Sequence, residues 1–166
     1  MSVITLNELE KLLYLDMVLK ETLRLYPVAK TTFRETVKDY ILGGHCVPAG
    51  TDMMISFYAT SRAEQNVANP TKFLPERFDR NSPEKLRRYV STPFSVGPHI
   101  CIGKKFAEIE MKIMIAKIMQ NFDFELVPGQ TFEIQDNATI QPKDGVKCFF
   151  RRRNIDNQRP LKECVN

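Results

Sequence analysis

A cysteine that could bind metal stands at position 101, in the run Phe94-Ser95-Val96-Gly97-Pro98-His99-Ile100-Cys101-Ile102-Gly103, directly ahead of a long apolar stretch with helical spacing. At the mouth of a helix, unpaired backbone N–H groups and the positive end of the dipole stabilise a thiolate, the form of cysteine that ligates metal. Gly103 permits close backbone approach on one side of the sulfur and Gly97 permits a tight turn before it, so the loop can lie flat beneath a large planar group. Phe94 can shield the thiolate from water. A lone cysteine in a glycine-rich turn is ordinarily a small buried hydrophobe, and only the whole pattern around the sulfur sets this one apart.

Other chemistry is poorly supported. The four cysteines, Cys46, Cys101, Cys148 and Cys164, form no C-x-x-C pair and lack the density of a secreted disulfide scaffold, which favours a reducing compartment. With only His45 and His99 available, a structural zinc site would need distant cysteines to converge. The formal charge of +4, from 24 basic and 20 acidic residues, is spread out, and the only dense basic run is Arg151-Arg152-Arg153. That pattern reads as a solvated surface, and no nucleic-acid partner is expected. Glu21 and Arg24, in KETLR, stand at i and i+3 on a helix and alone would make an exposed ion pair worth well under about 1 kcal/mol.

The elements that must position the cysteine follow from periodicity and punctuation. Residues 5–26 predict one long helix, with Asn7 as a possible N-cap, apolar residues at Leu15, Val18, Leu19 and Leu23, and a stop at Pro27. FRETVKDYIL and MMISFY, broken by Gly43-Gly44 and Pro48-Ala49-Gly50, predict hairpins at the edge of a small sheet, with a short helix around 61–67. Residues 69–103 show no sustained period, yet carry Phe73, Phe78, Tyr89 and Phe94, so an ordered, packed coil is expected. A second long helix is predicted over 102–122; its apolar residues fall in two sectors, which demands burial on most sides. FDFELV, FEI and VKCFF predict two or three closing strands, and residues 154–166 a polar tail. The order of elements is α+β.

The pattern F-x-x-G-x-[H/R]-x-C-x-G is filled at every fixed position and resembles the haem-binding loop of the cytochrome P-450 family. By that resemblance Cys101 is the axial ligand to haem iron, in haem b (iron protoporphyrin IX). Phe94, Gly97 and Gly103 shape the loop, and His99 donates to a propionate. Two further motifs fall in the family's order. Arg77, in Pro75-Glu76-Arg77-Phe78, matches the family arginine that joins the helical Glu and Arg, so Glu21, Arg24 and Arg77 are implied to form a buried network of structural role. The segment Pro27 to Arg34 resembles the family strand that runs past the cofactor. Arg34 then matches a frequent propionate partner, and Val28, Ala29 and Thr31 face substrate. Ala138-Thr139-Ile140 corresponds to a second substrate-facing segment, and Lys30 is polar enough to point away. Leu13 departs from the proline common in relatives before the Tyr-Leu pair.

The resemblance covers roughly residues 3–153 and implies an α+β fragment of the mainly-α cytochrome P-450 fold: two long helices, small β-sheets and a long ordered coil carrying the haem-ligand loop. Residues 1–153 are assigned to the C-terminal haem-binding part of that domain. KETLRLYP, FSVGPHICIG and ELVPGQ look most like microsomal enzymes of the sterol (cholesterol) 24-hydroxylase type. The implied activity is monooxygenation of a lipophilic small molecule, a sterol or fatty acid, with NADPH-cytochrome reductase as electron donor and Lys104 and Lys105 at the docking surface. The parent protein is expected on the cytosolic face of the endoplasmic reticulum membrane, held there by an N-terminal anchor that this chain lacks. No A-G-x-x-T-like segment for proton delivery is present, so the chain alone is expected to be inert and to expose apolar surface. Two alternatives are a haem-thiolate isomerase working without a reductase, and a non-catalytic truncated product.

Overall fold

In the computed structural model, which describes residues 4–137 and 139–153, two helices replace the single one expected over residues 5–26. They are α1, Leu6–Glu10, and α2, Leu13–Leu25. Thr5, not Asn7, is the first cap: its hydroxyl accepts from the Glu8 amide at 3.4 Å, while Glu8 Oε2 accepts from the Thr5 amide at 2.7 Å. This reciprocal pairing satisfies amides at the helix start, so the helix begins ahead of Asn7. The chain leaves helical geometry at Leu12, with ψ 63°. The break separates α1, whose Leu9 is buried beside α4, from α2, whose Leu25 is buried at its far end. Leu13 is the first residue of α2, a position where proline fits without losing a helical hydrogen bond.

The strands form four separate two-stranded antiparallel sheets rather than the one or two small sheets expected. β1 (Thr31–Glu35) pairs with β4 (Asp52–Ser56), with Thr31 opposite Ser56. Between them β2 (Tyr40–Leu42) and β3 (His45–Val47) make a hairpin closed by Gly43 and Gly44, whose φ values of 57° and 85° suit glycine. No short helix occupies 61–67. It lies earlier, as α3, Phe57–Thr60, because the Ser56 hydroxyl accepts from the Ala59 amide at 3.1 Å and caps a helix directly at the end of β4.

Residues 61–103 are turns and coil, with 3-10 turns at Pro75–Phe78 and Gly97–His99. The second long helix, α4, spans Lys104–Asn121 and runs straight into β5, Phe122–Leu126. β5 pairs with β8, Cys148–Arg152, and Phe150 packs its ring on Phe122 and Phe124. The expected strand FEI is displaced: β6 starts at Ile134 and runs Ile134–Asn137, pairing with β7, Thr139–Pro142. The polar tail lies outside the described residues.

The expectation that the second long helix is buried on most sides does not hold. No residue of α4 is buried; Phe106 is 72% and Met114 57% exposed. Its main neighbours are α1, α2 and β5, and each apolar sector keeps one exposed side chain: Met114 beside half-buried Ala107, Met111 and Ile118, and Phe106 beside half-buried Ile109, Ile113 and Ala116. The interior lies instead between α2 and the coil. There Leu19, Leu25, Phe57 and Val67 share space with fully enclosed Glu21, Arg24 and Arg77.

Candidate functional site

Glu21 and Arg24 are one turn apart on α2, so their side chains meet on one face. That face is buried, at 0% and 1% exposed, and is not the exposed face their spacing alone suggested. Arg24 Nε and Nη2 donate to the two Glu21 carboxylate oxygens at 2.7 and 2.8 Å, a bidentate fork. Arg24 Nη1 donates onward to the carbonyls of Ser61 and Pro70, both at 2.8 Å, and Nη2 to that of Lys72 at 3.3 Å. Glu21 Oε1 also accepts from the Leu74 amide at 2.9 Å. Arg77 enters from the 3-10 turn at 75–78: its Nε lies 3.5 Å from Glu21 Oε1, while Nη1 donates to Glu84 at 3.2 Å and Nη2 to the Asn69 carbonyl at 2.9 Å. Because the chain through 61–74 has no ladder of its own, these charge-assisted bonds to its backbone hold it in one path.

Ser61, Asn69 and Glu84 belong to this network and were missed from the sequence. Ser61 is 2% exposed, and its hydroxyl donates to the Arg24 carbonyl at 2.9 Å. Backbone carbonyls leave no signal in residue types, and Glu84 looks like any surface acid; only Asn69-Pro70, a turn dipeptide, hinted at the site.

Downstream the coil closes a loop around the cysteine. The Cys101 amide donates to the Phe94 carbonyl at 2.8 Å, and the Cys101 carbonyl accepts from the Lys104 amide at 3.2 Å, joining the loop to the start of α4. Inside the loop Ser95 and Gly97 have φ of 61° and 66°, and the Ile100 amide returns to the Gly97 carbonyl at 3.1 Å. Gly97 therefore serves the turn as expected. Gly103 does not crowd the sulfur: a Cβ there would sit 3.8 Å from Cys101 Sγ, an ordinary contact, so no close approach within the chain requires glycine. Phe94 is half-buried, and His99 is exposed on its 3-10 turn.

Cys101 itself is exposed and forms no disulfide. Ile100 is 48%, Ile102 103% and Phe106 72% exposed around it. A single sulfur thus stands among several exposed apolar side chains, and a grouped apolar patch, unlike a lone exposed residue, marks a contact surface. Among the described residues no group of three or more His, Cys, Asp or Glu could hold a bare metal ion. That donor set suits one axial bond to a metal already held by a flat, largely apolar macrocycle, and so the residues present fit haem.

Arg34 reaches the same loop from β1. Its guanidinium donates to the Thr32 hydroxyl at 2.9 Å and the Phe33 carbonyl at 2.6 Å, and Nη2 lies 3.5 Å from the Ser95 hydroxyl. The segments expected to face substrate are also brought together: Ala29 and Thr139 pair in an isolated bridge, and the Ile140 amide donates to the Val28 carbonyl at 3.0 Å. Val28 is exposed, Thr31 is half-buried within β1, and Ala138 lies outside the described residues. Lys30 forms an ion pair with Asp136 of β6. An apolar cleft of about 440 Å³ lies between the end of α2, at Thr22 and Tyr26, and the hairpin, at Ile134 and Ile140.

α2 and α4 are tied by Asp16, which accepts from Lys20 of its own helix and Lys112 of α4, both at 2.6 Å. Partial burial pushes the Asp16 carboxyl up, but the two lysine hydrogen bonds outweigh it and hold the group below its ordinary value. None of the helices is long and apolar enough to cross a membrane, among the described residues.

Comparison with known proteins agrees with the geometry. The description of the family "Cytochrome P450" matches residues 2–149. Cytochrome P450 3A6 of Oryctolagus cuniculus is 41% identical over 122 residues, 74% of this chain and 24% of that protein. Cytochrome P450 4V2 of Homo sapiens is 35% identical over 155 residues, 93% of this chain and 30% of that protein. Among solved structures, the retinoic acid bound cyanobacterial CYP120A1 superposes with a TM-score of 0.85 at 33% identity, covering 90% of this chain and 35% of that one. The chain thus spans about a quarter to a third of the length of the relatives it matches. With the cysteine loop, the buried Glu21-Arg24-Arg77 network and the matched length all in agreement, the chain belongs to the cytochrome P450 family.

Proposed function

We propose that this chain is the thiolate-bearing, haem-holding part of a monooxygenase that inserts oxygen into a lipophilic small molecule of sterol or fatty-acid type. The observation that carries the reading is the exposed Cys101, set by the Phe94 carbonyl and the start of α4 in a surface of exposed Ile100, Ile102 and Phe106. Haem b, when bound, supplies the redox chemistry of dioxygen activation.

Each residue of the chain has a role in that reading. Cys101 gives the thiolate that ligates iron, held by the backbone bonds at either end of its loop. Phe94, half-buried, would help shield the sulfur from water once haem covers the open face, and Gly97 makes the turn of the loop. Gly103 leaves room for the macrocycle rather than for the sulfur. His99 and Arg34 would donate to the propionates, a role supported for Arg34 by its hydrogen bond to Ser95 of the loop. Val28, Ala29, Thr31 and Thr139 form the part of the substrate surface that this chain contributes. A lipophilic ligand is consistent with the cyanobacterial relative solved with retinoic acid bound. Electrons come from a reductase of the NADPH-cytochrome type docking near Lys104 and Lys105, and the working protein sits at the endoplasmic reticulum membrane.

A second reading, a non-catalytic piece, is favoured by one observation: the exposed apolar side chains Phe106 and Met114 on α4. One experiment separates them. The chain is expressed, supplied with haem, reduced under carbon monoxide, and its Soret band recorded. A band at the position of a thiolate-ligated carbonyl, lost in Cys101→Ser and kept in Cys148→Ser, supports the haem reading. No haem uptake by a folded chain would leave the second reading standing.

A further inference from the structure

Lys30 is the one charged residue in a segment otherwise made of Val28, Ala29, Thr31 and Thr32. Its ammonium is paired with Asp136, at the far end of β6, and the two side chains are 29% and 52% exposed. Asp136 stands directly opposite Ile140 in the hairpin register, and Ile134 is two residues before it, so all three project from the same face of the hairpin. Ile134 and Ile140 line the apolar cleft against α2, which places the ion pair on the cleft side of the hairpin.

Everything else that ties the hairpin to the strand entering β1 lies within a few residues of this pair. The links are the Ala29–Thr139 bridge and the hydrogen bond from the Ile140 amide to the Val28 carbonyl at 3.0 Å. β6 and β7 belong to a sheet of their own, with no further strand to hold them in register. A two-stranded hairpin alone is marginal in water. Its base is held separately, where Gln130 and Lys147 bond to each other, so the placement of its tip over Val28 and Ala29 rests on the contacts near this pair.

From this placement we propose that Lys30 and Asp136 form a latch holding Thr139 against Val28 and Ala29, and that Lys30 is a positioning residue whose charge is spent on Asp136. The inference rests on the reading that these two segments face substrate. It deepens that reading: with its cation neutralised, this part of the surface suits the apolar body of a lipophile rather than a carboxylate end.

The latch is tested on the chain without haem, by amide hydrogen exchange followed by NMR. In Lys30→Met and in Asp136→Asn the Ile140 amide is expected to exchange about two- to five-fold faster, the range for a partly exposed ion pair. The Thr36 amide, bonded to the Thr51 carbonyl at 3.0 Å in the neighbouring sheet, serves as control and stays unchanged. Lys30→Arg and the charge swap Lys30→Asp with Asp136→Lys restore slow exchange, and raised salt weakens the difference between wild type and Lys30→Met. An unchanged Ile140 rate in both neutral variants, or a swap no better than either single change, overturns the latch.

Ligand charge is tested in the haem-loaded chain by titrating hexadecanol and hexadecanoate and following the Soret shift. Lys30→Met is expected to weaken both by the same factor. A loss confined to hexadecanoate would mean that Lys30 meets the ligand itself and would overturn the positioning role. A chain that takes up no haem counts against the functional reading alone, because the exchange experiment still decides the latch.

Discussion

Removing the Glu21 carboxylate is the sharpest perturbation this fold allows. Glu21 accepts from Arg24 Nε, Arg24 Nη2 and the Leu74 amide, and Arg77 Nε lies 3.5 Å away with no hydrogen-bond partner of its own. Glu21→Ala strands two arginines that are each 1% exposed, along with a backbone amide. Breaking a buried ion pair from one side costs about 3–5 kcal/mol, because an uncompensated charge is left in the interior. Small domains have only about 5–15 kcal/mol in total, and this one has few buried apolar side chains. The variant should therefore lose most of its stability, and with it the path of residues 61–74. Urea unfolding followed by circular dichroism is the assay, with the midpoint compared at equal slope. Glu21→Gln keeps the shape and should lie between wild type and Glu21→Ala. A Glu21→Ala midpoint within about 1 kcal/mol of wild type would refute the claim that the network holds the coil, because that is the worth of an exposed pair.

Three other outcomes follow from single observations. Asp16 is held below its ordinary value, so its contribution is present above the unfolded carboxylate pKa of about 3.9 and is lost as pH falls through the folded value. Stability measured by urea titration should drop from pH 5 toward acid, less steeply in Asp16→Asn and in Lys112→Met; an identical acid slope in both variants would sink the idea. Gly97→Ala should destabilise the chain by about 1–2 kcal/mol, the cost of left-handed backbone for an L side chain, since φ is 66° and nothing lies near the added Cβ. Gly103→Ala should leave unfolding of the haem-free chain nearly unchanged, because the new methyl meets Sγ at 3.8 Å. Equal losses in the two glycine variants would contradict this division.

Local rules carried far. The cysteine loop was legible from the residue types at positions 94–103, because glycine, proline and the helix start act within a few residues of the sulfur. The stop of α2 at Pro27 and the Gly43-Gly44 hairpin were legible for the same reason. The family pattern added the union of Glu21, Arg24 and Arg77, whose separation in the chain no periodicity could bridge.

Where the outcome depended on which surfaces meet, residue types were not enough. The break at Leu12 has no glycine or proline to announce it, and the start of α3 is set by a cap at the end of a strand whose partner is distant. The two apolar sectors of α4 predicted burial, yet hydrophobicity states only a demand, and the described residues leave both sectors no more than half-buried. Lys30 likewise carried a charge with no visible destination until the hairpin brought Asp136 to it. Sequence alone determined what each segment could become, since capping, turn geometry and helix periodicity act over a few residues. Tertiary structure decided which charges were buried, paired or exposed, because burial and pairing depend on partners far away in the chain.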